Sequence, residues 1–311
     1  MPDLNHGNKY LAKYLIQNTI WWIEKSGVDG IREDTYPYCN QKFMSLWAKE
    51  IIDEYPSLKI LGEVWTGESD YLAGYQSGSK FQKFDSHLFS VTDFALRDAF
   101  IHYLQGRAGI YEIFNTIAKD YLYTDANNLT TFVDNHDVGR AMFYADSNVA
   151  KFKLVFHILL TTRGIPQIFY GTEIGMIQNE DHGTLRKPFP GGFAGDKRNA
   201  FVAEERTEYE NDIFNYLQLM IKIRKENPAL TRGNLIHFPP VNDVYVYFRE
   251  YKNEITMTII NSGKKDFSPD VNYYPQLNDV RKAINLLDGE ESTTMSIKIR
   301  PMTAATFRLV K

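Results

Sequence analysis

The chain has a single cysteine, Cys39, in 311 residues, so no intrachain disulfide can brace it. A disulfide-stapled small fold is excluded. Cys39 has no histidine or acid patterned around it, which makes it a bystander rather than a nucleophile. No apolar run approaches the ~20 residues of a membrane span. The start, Met1-Pro2-Asp3-Leu4-Asn5, is polar and reads as no signal peptide; the compartment stays open. Basic residues form no block and the net charge is −4, which argues against nucleic acid as a partner. Internal repeats and low-complexity tracts are also missing. What is plentiful is aromatic surface. Twenty Phe, twenty Tyr and four Trp make 14% of the chain, most of it core, with enough left over to suggest stacking on the flat apolar faces of sugar rings.

Up to about residue 231 the pattern alternates between strands and helices. Asn8 to Ser26 has helical spacing and Gly27 closes it; Asn40 caps a helix that Pro56 stops. Helices are also expected near 69–77, at 94–104, 110–123, 149–162 and 212–225. Strands are expected at 28–34, 59–65, 88–93, 129–134 and 165–170. Five such alternations predict parallel strands covered by helices. Residues 171–208 form one long, glycine-rich, charged loop, a length usually reserved for function or disorder. After about 231 the chain turns β-rich, with runs at 244–248, 255–260, 283–287, 295–299 and 304–310. The expected domains are therefore 1–231 and 232–311, the second a two-sheet antiparallel β-sandwich.

Three stretches carry chemistry. In Gly30-Ile31-Arg32-Glu33-Asp34, strand alternation puts Arg32 and Asp34 on one face and Glu33 on the other. A guanidinium beside a carboxylate keeps it ionised, so Asp34 suits an attacking group. Glu63, in Gly62-Glu63-Val64-Trp65, has no cation beside it in sequence and suits a proton donor. Asp137, in Phe132-Val133-Asp134-Asn135-His136-Asp137, is a third acid, free to bind hydroxyls or offset positive charge. All three sit at strand ends, the rim where parallel α/β barrels place their chemistry. A pair of carboxyls with divided duties is what glycosidic cleavage requires, at roughly 5–5.5 Å separation if configuration is retained.

With these motifs in hand, the chain resembles the α-amylase family of retaining glycoside hydrolases. The Met1–Asn5 segment is similar to a short motif that precedes the nucleophile strand in the neopullulanase, cyclomaltodextrinase and oligo-glucosidase branches. The resemblance implies Asp34 as nucleophile, Glu63 as acid/base and Asp137 as transition-state stabiliser. It implies Arg32, His136, Tyr36, Tyr38 and Trp65 as substrate-binding groups, with plain loop packing the alternative for the two tyrosines. Tyr38 stands where many amylases have a histidine. The implied substrates are α-glucans: maltodextrin, pullulan or cyclodextrin. No cofactor is implied; the family's calcium has no support here, since Asp3 and Asp146 sit in no ligand pattern.

The resemblance also implies an incomplete barrel. The five strands correspond to strands four to eight of eight, and the Asp…Asn-His motif that ends strand three is absent. The chain thus reads as the C-terminal part of a longer enzyme: a partial (β/α)8 TIM barrel followed by a β-sandwich. Its open edges would take a partner, a second copy being one candidate, and alone it is expected to be nearly inactive on maltodextrins and pullulan. A non-catalytic glucan-binding fragment and a transglycosylase remain the competing readings.

Overall fold

The computed structural model describes residues 3–311; Met1 and Pro2, which open the Met1–Asn5 motif, lie outside the described residues. The helices are α1 (Lys9–Ser26), α2 (Gln41–Glu54), α3 (Ser69–Ala73), α4 (Phe94–Leu104), α5 (Ile110–Ile117), α6 (Ala141–Tyr144), α7 (Val149–Thr161), α8 (His182–Leu185), α9 (Glu208–Glu226) and α10 (Pro228–Arg232). The strands are β1 (Gly30–Glu33), β2 (Lys59–Gly62), β3 (Ser90–Val91), β4 (Thr130–Thr131), β5 (Ile165–Pro166), β6 (Asn234–His237), β7 (Val244–Tyr251), β8 (Glu254–Asn261), β9 (Lys282–Asn285), β10 (Glu291–Ser292) and β11 (Thr303–Val310). The chain divides into two compact units. One holds the residues up to Leu96 with Thr116–Thr131; the other holds Arg97–Asn115 and Phe132–Lys311.

In the first unit β1, β2 and β3 pair in parallel, in that order. A parallel bridge between Thr92 and Thr130 continues the sheet to β4. Helix α1 starts where Asn8 accepts from the amides of Tyr10 and Leu11, and it ends at Gly27 in the left-handed conformation (φ 64°). Helix α2 buries Phe43, Met44, Trp47, Ala48 and Ile51, spaced three to four apart on one face. Trp47 Nε1 donates to Thr19 Oγ1 at 3.0 Å and ties α2 to α1.

In the second unit, β6 to β11 form one antiparallel sheet in the order β10-β9-β11-β8-β7-β6. This differs from the expected two-sheet sandwich. Both faces of the sheet are already covered. On one face Val246, Phe248, Met257, Ile259 and Phe307 pack against Tyr274, Leu277, Ile297 and Ile299. That covering layer is irregular chain whose pairing is an isolated Phe267–Ile299 bridge, and the strand expected at 295–299 is instead a 3-10 turn at Thr294–Ser296. On the other face, α7 lies against the sheet. His157 Nε2 meets Thr306 Oγ1 at 2.8 Å, and Thr161 Oγ1 meets the Tyr247 hydroxyl at 2.6 Å. Arg224, from α9, donates to the carbonyls of Leu160, Thr162 and Gly164, which satisfies carbonyls left without helical partners at the buried end of α7. Helix α9 begins at Glu208, earlier than the pattern predicts, because Thr207 and Glu210 form a capping box.

Candidate active site

Strand register sets the first cluster. β1 and β2 are parallel with Glu33 opposite Gly62, so the next residues along the two strands are Asp34 and Glu63. Gly62 leaves room for the core there: a Cβ would fall 2.4 Å from Cδ1 of the buried Leu88, whose side chain would have to shift. Arg32 shares a strand face with Asp34, and its guanidinium reaches across the sheet. Nη1 donates to Asp34 Oδ1 at 2.6 Å and Nη2 to Glu63 Oε1 at 2.6 Å. One cation therefore holds both carboxylates. No cation stands beside Glu63 in sequence; its partner comes from the neighbouring strand.

The two carboxyls differ in environment. Asp34 is largely exposed, its side chain 64% accessible, whereas the Glu63 side chain is only 5% accessible. Glu63 Oε2 also accepts from the backbone amide of Thr35 at 3.0 Å. Thr35 adopts a left-handed backbone (φ 50°), unusual for a β-branched residue, which turns the chain just past Asp34 and aims that amide. Burial pushes the Glu63 carboxyl above its ordinary range; the Thr35 amide and Arg32 pull it down, and Asp34 pushes it back up. Glu33, on the opposite face of β1, is pushed up to about 7, chiefly by burial.

The aromatic groups separate. Trp65 stacks on Phe94 with centroids 4.7 Å apart and remains 47% exposed. Tyr38 is 72% exposed. Tyr36 is wholly buried: its hydroxyl donates to the Ser86 carbonyl at 3.2 Å and its ring sits edge-on to Tyr75. A ring with no accessible face cannot stack on a sugar, so the substrate-binding expectation for Tyr36 is withdrawn and the packing alternative holds.

The second cluster lies in the second unit. Asp134 is buried and structural. It accepts from the Ala141 amide at 2.8 Å at the start of α6, and from Thr172 Oγ1 at 3.0 Å. The Asn135 side chain accepts from the Asp137 amide at 2.8 Å, a tight local turn that presents His136 and Asp137. His136 Nε2 lies 2.9 Å from Asp137 Oδ2. The other carboxylate oxygen, Oδ1, takes Arg186 Nη2 at 2.7 Å, and Arg186 Nε donates to the His136 carbonyl at 3.0 Å. Sequence reading missed Arg186. It stands 49 residues from Asp137 in the long loop, and only the loop's length pointed to it. Among the described residues no three His, Cys, Asp or Glu side chains group as a metal would require.

Comparison with known proteins converges. Residues 1–233 match the family described as "Alpha amylase, catalytic domain", and residues 235–307 match the "Cyclo-malto-dextrinase C-terminal domain". A cyclomaltodextrinase of Thermoanaerobacter pseudethanolicus is 29% identical over 269 residues, covering 85% of this chain and 42% of its own length. A cyclomaltodextrin glucanotransferase of Geobacillus stearothermophilus is 27% identical over 275 residues, covering 86% of this chain and 35% of its own. The crystal structure of an α-amylase from Geobacillus thermoleovorans, complexed with acarbose, superposes on all of this chain and 66% of that one, with a TM-score of 0.82 at 25% identity. The chain spans less than half the length of the two curated relatives. With a TIM-barrel-type catalytic domain and an antiparallel C-terminal domain each matched, the chain belongs to the α-amylase family of glycosidases and is cyclomaltodextrinase-like.

Proposed function

We propose that the chain carries the machinery of a retaining glycosidase acting on α-glucosidic bonds in maltodextrin, pullulan or cyclodextrin. Asp34 is the nucleophile, Glu63 the acid/base and Asp137 the group that offsets charge in the transition state. The observation that carries this is the Arg32 guanidinium held at 2.6 Å from each of two carboxylates in unlike surroundings. A guanidinium bonded to both carboxylates favours the close carboxyl spacing of retention over the wider gap that inversion needs for water. Asp34, exposed and ion-paired, suits attack on the anomeric carbon. Glu63, buried and reluctant to ionise, suits protonation of the leaving oxygen and then activation of the incoming water. Arg32, His136, Tyr38 and Trp65 bind and orient the sugar. Residues 1–231 are read as the part of the barrel from strand four to strand eight, with β1 to β5 in those places, and 232–311 as the appended domain.

Transfer to a second sugar in place of water is the competing reading, and the glucanotransferase relative favours keeping it. It uses the same covalent intermediate and the same residues.

The test uses α-glucosyl fluoride, whose leaving group needs no acid and asks less of the site than a polysaccharide. The chain should release fluoride. Asp34→Asn should abolish release, and Glu63→Gln should keep the first step while slowing turnover. Undiminished release by Asp34→Asn would overturn the nucleophile assignment, and equal abolition by both variants would overturn the division of roles.

A further inference from the structure

Arg186 is placed by bonds that do not involve its own side chain. The buried Arg140 donates through Nη2 to the Leu185 carbonyl at 3.0 Å, and the Tyr170 hydroxyl donates to the Lys187 carbonyl at 2.8 Å. The residues on either side of Arg186 are therefore pinned independently. From that fixed base, one guanidinium donates to the backbone carbonyl of His136 and to the side chain of Asp137. Arg186 itself is half exposed, its side chain 52% accessible, while that of Asp137 is 17% accessible. Both oxygens of Asp137 are engaged, Oδ2 by His136 and Oδ1 by Arg186, so the carboxylate is fixed from two sides.

We propose that Arg186 is a positioning residue for Asp137: it clamps the carboxylate in one orientation and supplies its counter-charge from the long loop. The proposal rests on reading Asp137 as a group that serves the sugar. Two features of arginine matter. Its charge favours the ionised carboxylate, and its planar fork offers two donors at once, one to a carbonyl and one to a carboxylate. A lysine at this position keeps the first and loses the second. A carboxylate turned in advance meets sugar hydroxyls without the cost of ordering it at the moment of binding.

The groups against Asp137 are the His136 imidazole, from its own turn, and the Arg186 guanidinium, and the test acts on the second alone. In the free chain, Asp residues labelled with 13C at the carboxyl are observed by NMR at about pH 7, with the Asp137 signal assigned through Asp137→Asn. Arg186→Gln should move that signal, because the donor against Oδ1 is lost, and Arg186→Lys should restore it only in part. An unmoved signal in Arg186→Gln overturns the proposal. Calorimetric titration with acarbose gives the second readout. Arg186→Gln and Arg186→Lys should both weaken binding about tenfold, which corresponds to one lost charge-assisted contact. In an Asp137→Asn background, Arg186→Gln should add nothing. A full additional loss in that background would mean that Arg186 acts directly on the sugar and not through Asp137. If Asp137→Asn alone binds acarbose as the wild type does, it is the reading of Asp137 that fails, while the NMR signal of Asp137 still judges the clamp.

Discussion

Glu33 gives the account a test that needs no substrate. It sits between Arg32 and Asp34 on β1 but faces the other way, and burial raises its carboxyl from 4.5 to about 7, with Asp34 adding and Arg32 opposing. Below pH 4.5 folded and unfolded chains both hold the proton. Between 4.5 and 7 the unfolded chain releases it while the folded chain retains it, so stability falls as pH rises through that window. The complete loss would be ~3 kcal/mol, and solvent contact at a half-buried site brings it nearer to 1–2. Glu33→Gln keeps the shape and removes the proton. Urea unfolding at pH 5 and pH 8 reads the difference. At pH 5 the two proteins should be nearly alike; at pH 8 the variant should be the more stable by ~1–2 kcal/mol. A wild-type advantage that grows from pH 5 to pH 8 would mean that Glu33 is ionised and paired in the folded chain, which would refute the reasoning.

Two further outcomes follow from burial. Tyr36→Phe removes one buried hydrogen bond and should cost about 1 kcal/mol of stability with no change in acarbose affinity, whereas Tyr38→Ala should weaken acarbose binding and leave the unfolding midpoint in place; the reverse pattern would restore Tyr36 as the sugar-binding ring. His157 is held neutral by burial, its value lowered to about 3, so the wild type should lose stability as pH falls through the ordinary 6.5. His157→Leu should abolish that dependence and cost ~2–3 kcal/mol at pH 7, because the hydroxyls of Tyr216 and Thr306 lose their ring partner. A neutral substitution in urea titration would contradict it.

Local periodicity made half of this site legible. Alternation along one strand is enough to put Arg32 beside Asp34, because both ends of that contact lie two residues apart. The contact from Arg32 to Glu63 depends on the register between β1 and β2, which no single segment encodes. Arg186 was harder still: its base is set by Arg140 and Tyr170, and its reach to Asp137 crosses 49 residues of chain without a repeating pattern. Tyr36 and Tyr38 looked alike in sequence, two aromatics flanking a proline. The 3-10 turn at Tyr36–Tyr38 sends the first ring inward and the second outward. The β-rich end was recognisable from its runs of Val, Tyr and Ile, but its second layer was not. There, irregular chain and 3-10 turns bury the apolar face of the sheet without forming a second one, so apolar spacing at 295–299 read as a strand.

The proposed role of Asp34 is attack on the anomeric carbon. A donor that traps the intermediate tests it most directly: an α-glucosyl fluoride with a second fluorine at C5, applied to the Glu63→Gln chain, in which activation of the deglycosylating water is crippled. If Asp34 is the nucleophile, fluoride should leave as a bond forms between Asp34 and C1, and the ester should accumulate because its hydrolysis is slowed. Intact-mass measurement should show one added sugar, and peptide mapping should place it on Asp34, with none in the Asp34→Asn chain. A label found on another carboxylate, or products of inverted configuration from the unmodified chain with no label at Asp34, would contradict the assignment.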